Sequence, residues 1–136
     1  MGYDFIAISH VVVCEQLPNN ARPYAECMYR TEYDTYYEVL RNNATTYYKG
    51  NNRTTSRTWS INISSADRIV ETLLNNGIHA SEFFSTSAHT AASLAPFLRE
   101  LRQVERSHLE NQTAALLVQL IEVLEYVCDD GILLNV

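Results

Sequence analysis

The apolar positions of this chain fall into blocks, and the spacing inside most blocks reads as helix. Residues 3–17, YDFIAISHVVVCEQL, are apolar without a clean period. Val11 to Val13 lean towards strand, but the length suits a buried helix, and Pro18-Asn19-Asn20 ends it. From Pro23 to about Leu40, the side chains of Tyr33, Tyr36, Tyr37 and Leu40 recur at i, i+3, i+4 and i+7, one helical face. Arg30, Glu32, Asp34 and Glu38 make the opposite face. Residues 42–65 are rich in Asn, Thr and Ser and read as a loop with a short helical or extended piece. Ser64-Ser65-Ala66-Asp67 offers an N-cap to a helix through Ile69, Val70, Leu73 and Leu74, and Asn75-Asn76-Gly77 closes it with an αL-type cap.

The next block, residues 81–98, is nearly free of charge after Glu82 and dominated by Ser and Ala. A helix that is small or apolar on all sides is one wrapped by other helices. Pro96 marks its end or a kink. Residues 99–112 read as amphipathic and solvated. Residues 114–127 repeat the buried pattern through Leu116, Leu117, Leu120, Ile121, Leu124 and Val127, and Asp129-Asp130-Gly131 caps them. After the glycine come Ile132, Leu133 and Leu134, too apolar to be left in water, so the tail is expected to fold back onto the body at Gly131. The expected fold is all-α: about five to seven helices, one of them (about 81–98) central and buried.

Composition narrows the classes. The 136 residues suit a single domain over 1–136 and suffice for a core without staples. Four glycines and three prolines disfavour a turn-rich all-β fold. A net charge of −6 without any basic run argues against a nucleic-acid partner. Cys14, Cys27 and Cys128 are odd in number and lack ligand spacing, which fits a reducing compartment and no metal. No run is long and apolar enough for a membrane anchor, and no leader pattern opens the chain.

The candidate chemistry is thin. His10, His79, His89 and His108 sit in no metalloprotease frame, and no glycine-rich phosphate loop is present. His89 has Ser85 and Ser93 one helical turn to either side, an arrangement open to nucleophilic catalysis but more simply a hydrogen-bonded core histidine. The cysteines have no base nearby, and Asp129-Asp130 is a solvated helix end. No enzyme, cofactor or metal is expected.

One pattern goes further. Tyr126-Val127, then Gly131 and Leu133, resembles the second homology motif of the Bcl-2 family of apoptosis regulators. Leu73-Leu74-Asn75-Asn76-Gly77-Ile78 followed by His79-Ala80-Ser81-Glu82 resembles the first, and Glu32-Tyr33-Asp34-Thr35-Tyr36-Tyr37 the stretch after the family's BH3 helix. Gly2-Tyr3-Asp4 stands where the fourth homology region begins. The order covers nearly the whole chain and looks like a viral-type homologue. The resemblance implies a Bcl-2-like helical bundle with a surface groove. It implies a pro-survival protein that sequesters the BH3 helix of pro-apoptotic host proteins, a narrow set such as Bim. The groove would comprise Tyr33, Tyr37, Leu40, Ala44, Ile69, Val70, Leu73, Leu74, Gly77, Ser81, Glu82 and Phe83. Glu82 stands where the family has an arginine and would repel the ligand's aspartate, so Glu82→Arg would broaden binding. The alternative is an adaptor of the same fold, its groove closed, that inhibits host inflammatory signalling through another surface. Without an anchor, the expected location is the host cytoplasm, peripheral at mitochondria, with homodimerisation open.

Overall fold

The computed structural model describes residues 1–127 and 129–136, so Cys128 lies outside the described residues. It overturns the all-α expectation. The strands are β1 (Gly2–Cys14), β2 (Arg22–Ala25), β3 (Met28–Arg30), β4 (Thr35–Arg41), β5 (Ala44–Asn62), β6 (Ala88–Thr90) and β7 (Ile132–Asn135). The helices are α1 (Ile63–Asn75), α2 (Ser81–Ser85), α3 (Ala91–Arg102) and α4 (Asn111–Tyr126), with a short 3-10 turn at Arg106–His108. The strands form one sheet in the order β2-β3-β4-β5-β1-β7-β6, and each adjacent pair is antiparallel.

β1 has no visible period because both of its faces are covered. Phe5 and Ala7 pack under the helices with Trp59, Ile61 and Leu133. Ile8 and Val11 face the other way, against Val39, Ile132 and Leu134. A strand buried on both sides reads as a continuous apolar run, as a buried helix does.

The tyrosine-rich block is the first arm of a hairpin. Asn42 and Asn43 take φ of 52° and 63° between the paired Arg41 and Ala44. Two left-handed residues joining two strands match the twist of a hairpin, and asparagine tolerates that conformation better than most side chains. Burial alone does not fix the period, since Tyr36 is buried beside Tyr37; the register of β4 against β5 does. Tyr37 and Val39 are buried, whereas Leu40 is half-exposed and Tyr33 is 87% exposed. The loop expected over 42–65 is thus mostly β5, whose Thr, Tyr and Trp content suits a pleated surface.

A kink divides the sheet. Between Ser9 and Val11 the register against β5 shifts, with His10 at φ 56° on one strand and residues 51–54 looped out on the other. Asn51 accepts from the Arg53 amide at 2.8 Å, and the Thr54 hydroxyl accepts from the Asn51 amide at 2.8 Å and donates to the His10 carbonyl. A bulge of this kind bends and twists the strand pair. Past it, β3 and β4 curl over Ile8, Ile132 and Leu134, with β2 outside them, and β4 comes to lie beside β6. The sheet therefore carries two cores. Ile69 and Leu73 of α1, Leu94, Leu98 and Leu101 of α3, and Leu117, Leu120 and Leu124 of α4 cover one face. The sheet's own curled arm covers the other.

The expected central helix over 81–98 does not form. α2 ends at Ser85, β6 crosses Ala88–Thr90, and α3 begins at Ala91, where Thr90 and Ser93 exchange cap hydrogen bonds. Small residues were misleading here because Ala88 and His89 are buried by sheet and helices together. Pro96 lies inside α3. α1 and α4 fall near their expected places. The α1 cap is Asn62, whose Oδ1 accepts from the Ser65 amide at 2.8 Å, and Gly77 takes φ +76° after its end. Asp129 is left-handed at φ 72° ahead of Gly131.

The tail is received, though not by a helical bundle. β7 lies between β1 and β6, with Ile132, Leu133 and Leu134 at most 1% exposed. The resemblance to the Bcl-2 family fails on this point and on the sheet as a whole. Tyr126-Val127, Gly131 and Leu133, offered as one helical motif, run from the end of α4 into a central strand.

Candidate functional site

The residues expected to line one groove separate into different regions. Tyr37 lies in the core beneath the curled arm, with Leu40 and Ala44 near the hairpin turn and Tyr33 in the exposed β3–β4 connection. Ile69 and Leu73 are buried in the helical core, where Val70 packs at the edge, and Leu74 is half-exposed on α1. Gly77 is in the following loop. Ser81, Glu82 and Phe83 form most of α2, with Phe83 buried and the other two exposed. A groove walled by helices needs the helical bundle that this mixed α/β fold replaces. The pro-survival, BH3-sequestering function and the alternative adaptor of the same fold are corrected with it.

Two features among the described residues have the makings of a site. The first is a cleft of about 250 Å³ at the β6 end of the sheet. α2 contributes Glu82 and Phe83, α3 contributes Phe97 and Glu100, β4 contributes Arg41, and the loop before α2 contributes His79. His89 sits at its back on β6, opposite Leu133 and turned to the helical side. It is 6% exposed. Its ring stacks on Phe83 with centroids 5.0 Å apart, and its Nε2–H donates to the Phe83 carbonyl at 3.0 Å. That bond fixes the tautomer and leaves the lone pair on Nδ1. Nδ1 has no hydrogen-bond partner among the described residues, yet no polar side-chain atom is both sealed from solvent and unpartnered. Nδ1 therefore keeps some access to solvent, and His89 lines the cleft.

Burial pushes the His89 pKa below its ordinary value of 6.5, and Arg41 pushes the same way. The Phe83 hydrogen bond and Glu82 oppose them more weakly in sum. The unfolded chain thus takes up a proton at a higher pH than the folded one. The contribution of neutral His89 is present above pH 6.5 and is lost as pH falls towards the folded-state value. Stability measured by urea unfolding is expected to drop between pH 7 and pH 5, and His89→Gln is expected to flatten that drop. An unchanged slope would show that other groups carry it.

The serines proposed as partners of His89 are occupied elsewhere. The Ser93 hydroxyl donates to the Thr90 carbonyl at 2.8 Å and accepts from the Thr90 amide at 3.0 Å. The Ser85 hydroxyl donates to the Glu82 carbonyl at 3.2 Å. Burial is the first cause raising the pKa of both Cys14 and Cys27, which keeps these thiols protonated. Among the described residues no cluster of metal-ligating side chains forms, and no helix is long and apolar enough to cross a membrane.

The second feature is the outer edge of β5. β4 pairs only with residues 44–49 of this long strand, while residues 55–62 pair with β1 alone. Register shows which backbone groups are left over. The Ile63 amide donates to the Met1 carbonyl at 3.3 Å, continuing the pairing of Gly2 with Asn62. Antiparallel alternation then places Ile61, Trp59 and Arg57 in hydrogen-bonded pairs with β1. The N–H and C=O of Ser56, Thr58 and Ser60 point out of the sheet, and all three residues are exposed. Trp59, held by Gln119 of α4 at 3.3 Å, and Ile61 anchor the strand from the helical side. Sequence reasoning missed this edge, although Thr-Ser-Arg-Thr-Trp-Ser-Ile alternates polar and inward positions.

No family model, no curated protein and no solved structure matches this chain.

Proposed function

We propose that this chain is a non-catalytic protein-recognition module that takes an extended segment of another polypeptide as an added strand along residues 55–62 of β5. The observation that carries this reading is the open edge itself. Exposed edges are templates for pairing, and proteins ordinarily blunt them with proline, short length, charge or bulges. The other two edges are blunted that way: β2 is four residues long with Pro23 within it, and β6 has three residues. The β5 edge has no proline between Thr55 and Asn62, its one charged residue is Arg57, which sits in a pair hydrogen-bonded to β1 rather than in the outward row, and the bulge at residues 51–54 lies beyond it. Added strands gain main-chain hydrogen bonds for affinity and alternate side-chain contacts for specificity.

A second copy of the chain is the other occupant that the residues favour. Antiparallel pairing about a two-fold axis would set the Ser56, Thr58, Ser60 row against itself, without a charge in the row. Thr and Ser pairs across strands are mildly favourable, and two-fold pairing closes on itself.

Thr58→Pro tests both. It deletes an outward N–H that β1 does not use, and proline is tolerated at sheet edges. Hydrogen exchange at Ser56, Thr58 and Ser60 is expected to be fast in the dilute protein. Peptides selected from a displayed library against the wild type are expected to protect these amides and to lose at least about tenfold in affinity against Thr58→Pro. Protection that grows with protein concentration alone, with a sedimenting dimer abolished by Thr58→Pro, identifies the second copy instead. Slow exchange at all three amides in the dilute monomer would sink the strand-addition reading.

A further inference from the structure

We infer that the cleft at the β6 end of the sheet binds a small zwitterion, an α-amino acid with an apolar side chain. This site is independent of the β5 edge. It offers three kinds of contact, and none is used up within the protein. The first is cationic: Arg41 lines the cleft, and its guanidinium is absent from the ion pairs among the described residues. The second is anionic: Glu82 and Glu100 line the same cleft, and their carboxylates are equally without a cation partner. The third is the Nδ1 lone pair of the buried His89, which accepts a hydrogen bond from the ligand. Arg41 and Glu82 both act on the His89 ring, in opposite directions, which places both charges near it. Phe83 and Phe97, with ring centroids 5.3 Å apart, give the cleft an apolar wall.

The chemistry follows from those groups. A carboxylate bound to Arg41 makes charge-assisted hydrogen bonds, and an ammonium bound to the glutamates makes them with the opposite sign. Its N–H also matches the neutral His89 nitrogen, which offers no proton. A cleft of about 250 Å³ has room for an amino acid. A simple anion would satisfy Arg41 and face two carboxylates. A simple amine would leave the guanidinium without a counter-charge.

The test is calorimetric titration of the whole protein with L-phenylalanine, 3-phenylpropanoate and phenethylamine. The latter two lack the ammonium and the carboxylate respectively. Phenylalanine is expected to bind saturably, and each half-molecule at least about tenfold more weakly, because each forfeits a hydrogen-bonded charge. Arg41→Gln is expected to erase the preference over phenethylamine, and Glu82→Gln to reduce the preference over 3-phenylpropanoate. Both side chains are on the cleft surface, and both variants should keep the wild-type amide spectrum elsewhere. No saturation by phenylalanine below about 10 mM, where specific affinity fades, overturns the inference. Equal binding by either half-molecule, or indifference to both substitutions, overturns it as well. Thr58→Pro should leave this titration unchanged, so the failure of one site does not count against the other.

Discussion

Cutting the chain after Gly131 is expected to abolish cooperative folding. The five residues removed include Ile132, Leu133 and Leu134, which are buried to within 1%. They serve both cores, Leu133 under the helices and the other two beneath the curled arm. Burying a large aliphatic side chain is worth about 1.5–3 kcal/mol, so the three together contribute roughly 5–9 kcal/mol. That is comparable with the whole stability of a domain this size, about 5–15 kcal/mol. The ladder losses come on top. β7 pairs with Phe5 to Ile8 on one side and with Ala88 to Thr90 on the other. Asn135 donates to the Ser87 carbonyl from its amide and to the Phe84 carbonyl from its side chain, each at 2.8 Å, which ties α2 to the sheet. Without β7, β6 has no hydrogen-bonded neighbour and β1 has an open inner edge. Circular dichroism and amide dispersion should show a collapsed or unfolded chain with no sharp urea transition. A truncated protein that unfolds cooperatively near the wild-type midpoint would mean that β7 is not a central strand.

Gly131→Ala should be strongly destabilising for so small a change, a single added methyl. A β-carbon there would lie 2.5 Å from the Ile8 carbonyl oxygen and 2.8 Å from both Cα and the carbonyl oxygen of Val127. All three are backbone atoms, so no side chain can turn aside. The glycine is also pinned from both sides. Its amide donates to the Val127 carbonyl at 3.0 Å, and its carbonyl accepts from the Ala91 amide at 3.1 Å. Relief requires moving the end of α4 away from β1, or β7 out of register. The expected loss is about 3–4 kcal/mol, at the upper end for overpacking. Gly77→Ala is the control. Gly77 has φ +76° with nothing within 4 Å, so only the left-handed backbone resists the substitution, at about 1–2 kcal/mol. Urea midpoints should rank Gly131→Ala well below Gly77→Ala, and the reverse order would refute the close approach of α4 to β1.

These two experiments concern the residues where pattern reading was most informative and also most misleading. Ile132, Leu133 and Leu134 announce burial by composition alone. They do not say whether the covering surface is helix or sheet. The helical reading of Tyr33, Tyr36, Tyr37 and Leu40 failed for a related reason. Four positions fit one helical face, but Tyr37 and Val39 against Glu38 and Leu40 fit strand alternation, and Asn42-Asn43 is a hairpin signal that decides between them. Apolar runs such as Phe5 to Ile8 fit either period when both faces are covered. The small-residue block at 81–98 reads as buried under any fold. It holds two helices and a strand because Thr90 and Ser93 cap a new start that the block's composition does not reveal.

The cleft and the β5 edge were less visible still. Glu82 stood out as a charge beside an apolar helix, and His89 as a histidine among small residues. Nothing local joins them to Arg41, forty-one residues before Glu82 in the chain. They meet because the bulge at His10 curls β4 round to β6. The open edge of β5 depends on where β4 stops pairing, a matter of register between strands.

The amino-acid order alone settled the two helices near 66–74 and 114–127, the left-handed glycine at 77 and the need to cover the final apolar residues. Each of these is decided by contacts within a few positions or by transfer out of water, and both can be read one segment at a time. The sheet, its curl, the cleft and the free edge were decided only in three dimensions. Strand partners are chosen by hydrogen bonds between distant segments, and an apolar stretch carries no mark of which neighbour will supply them.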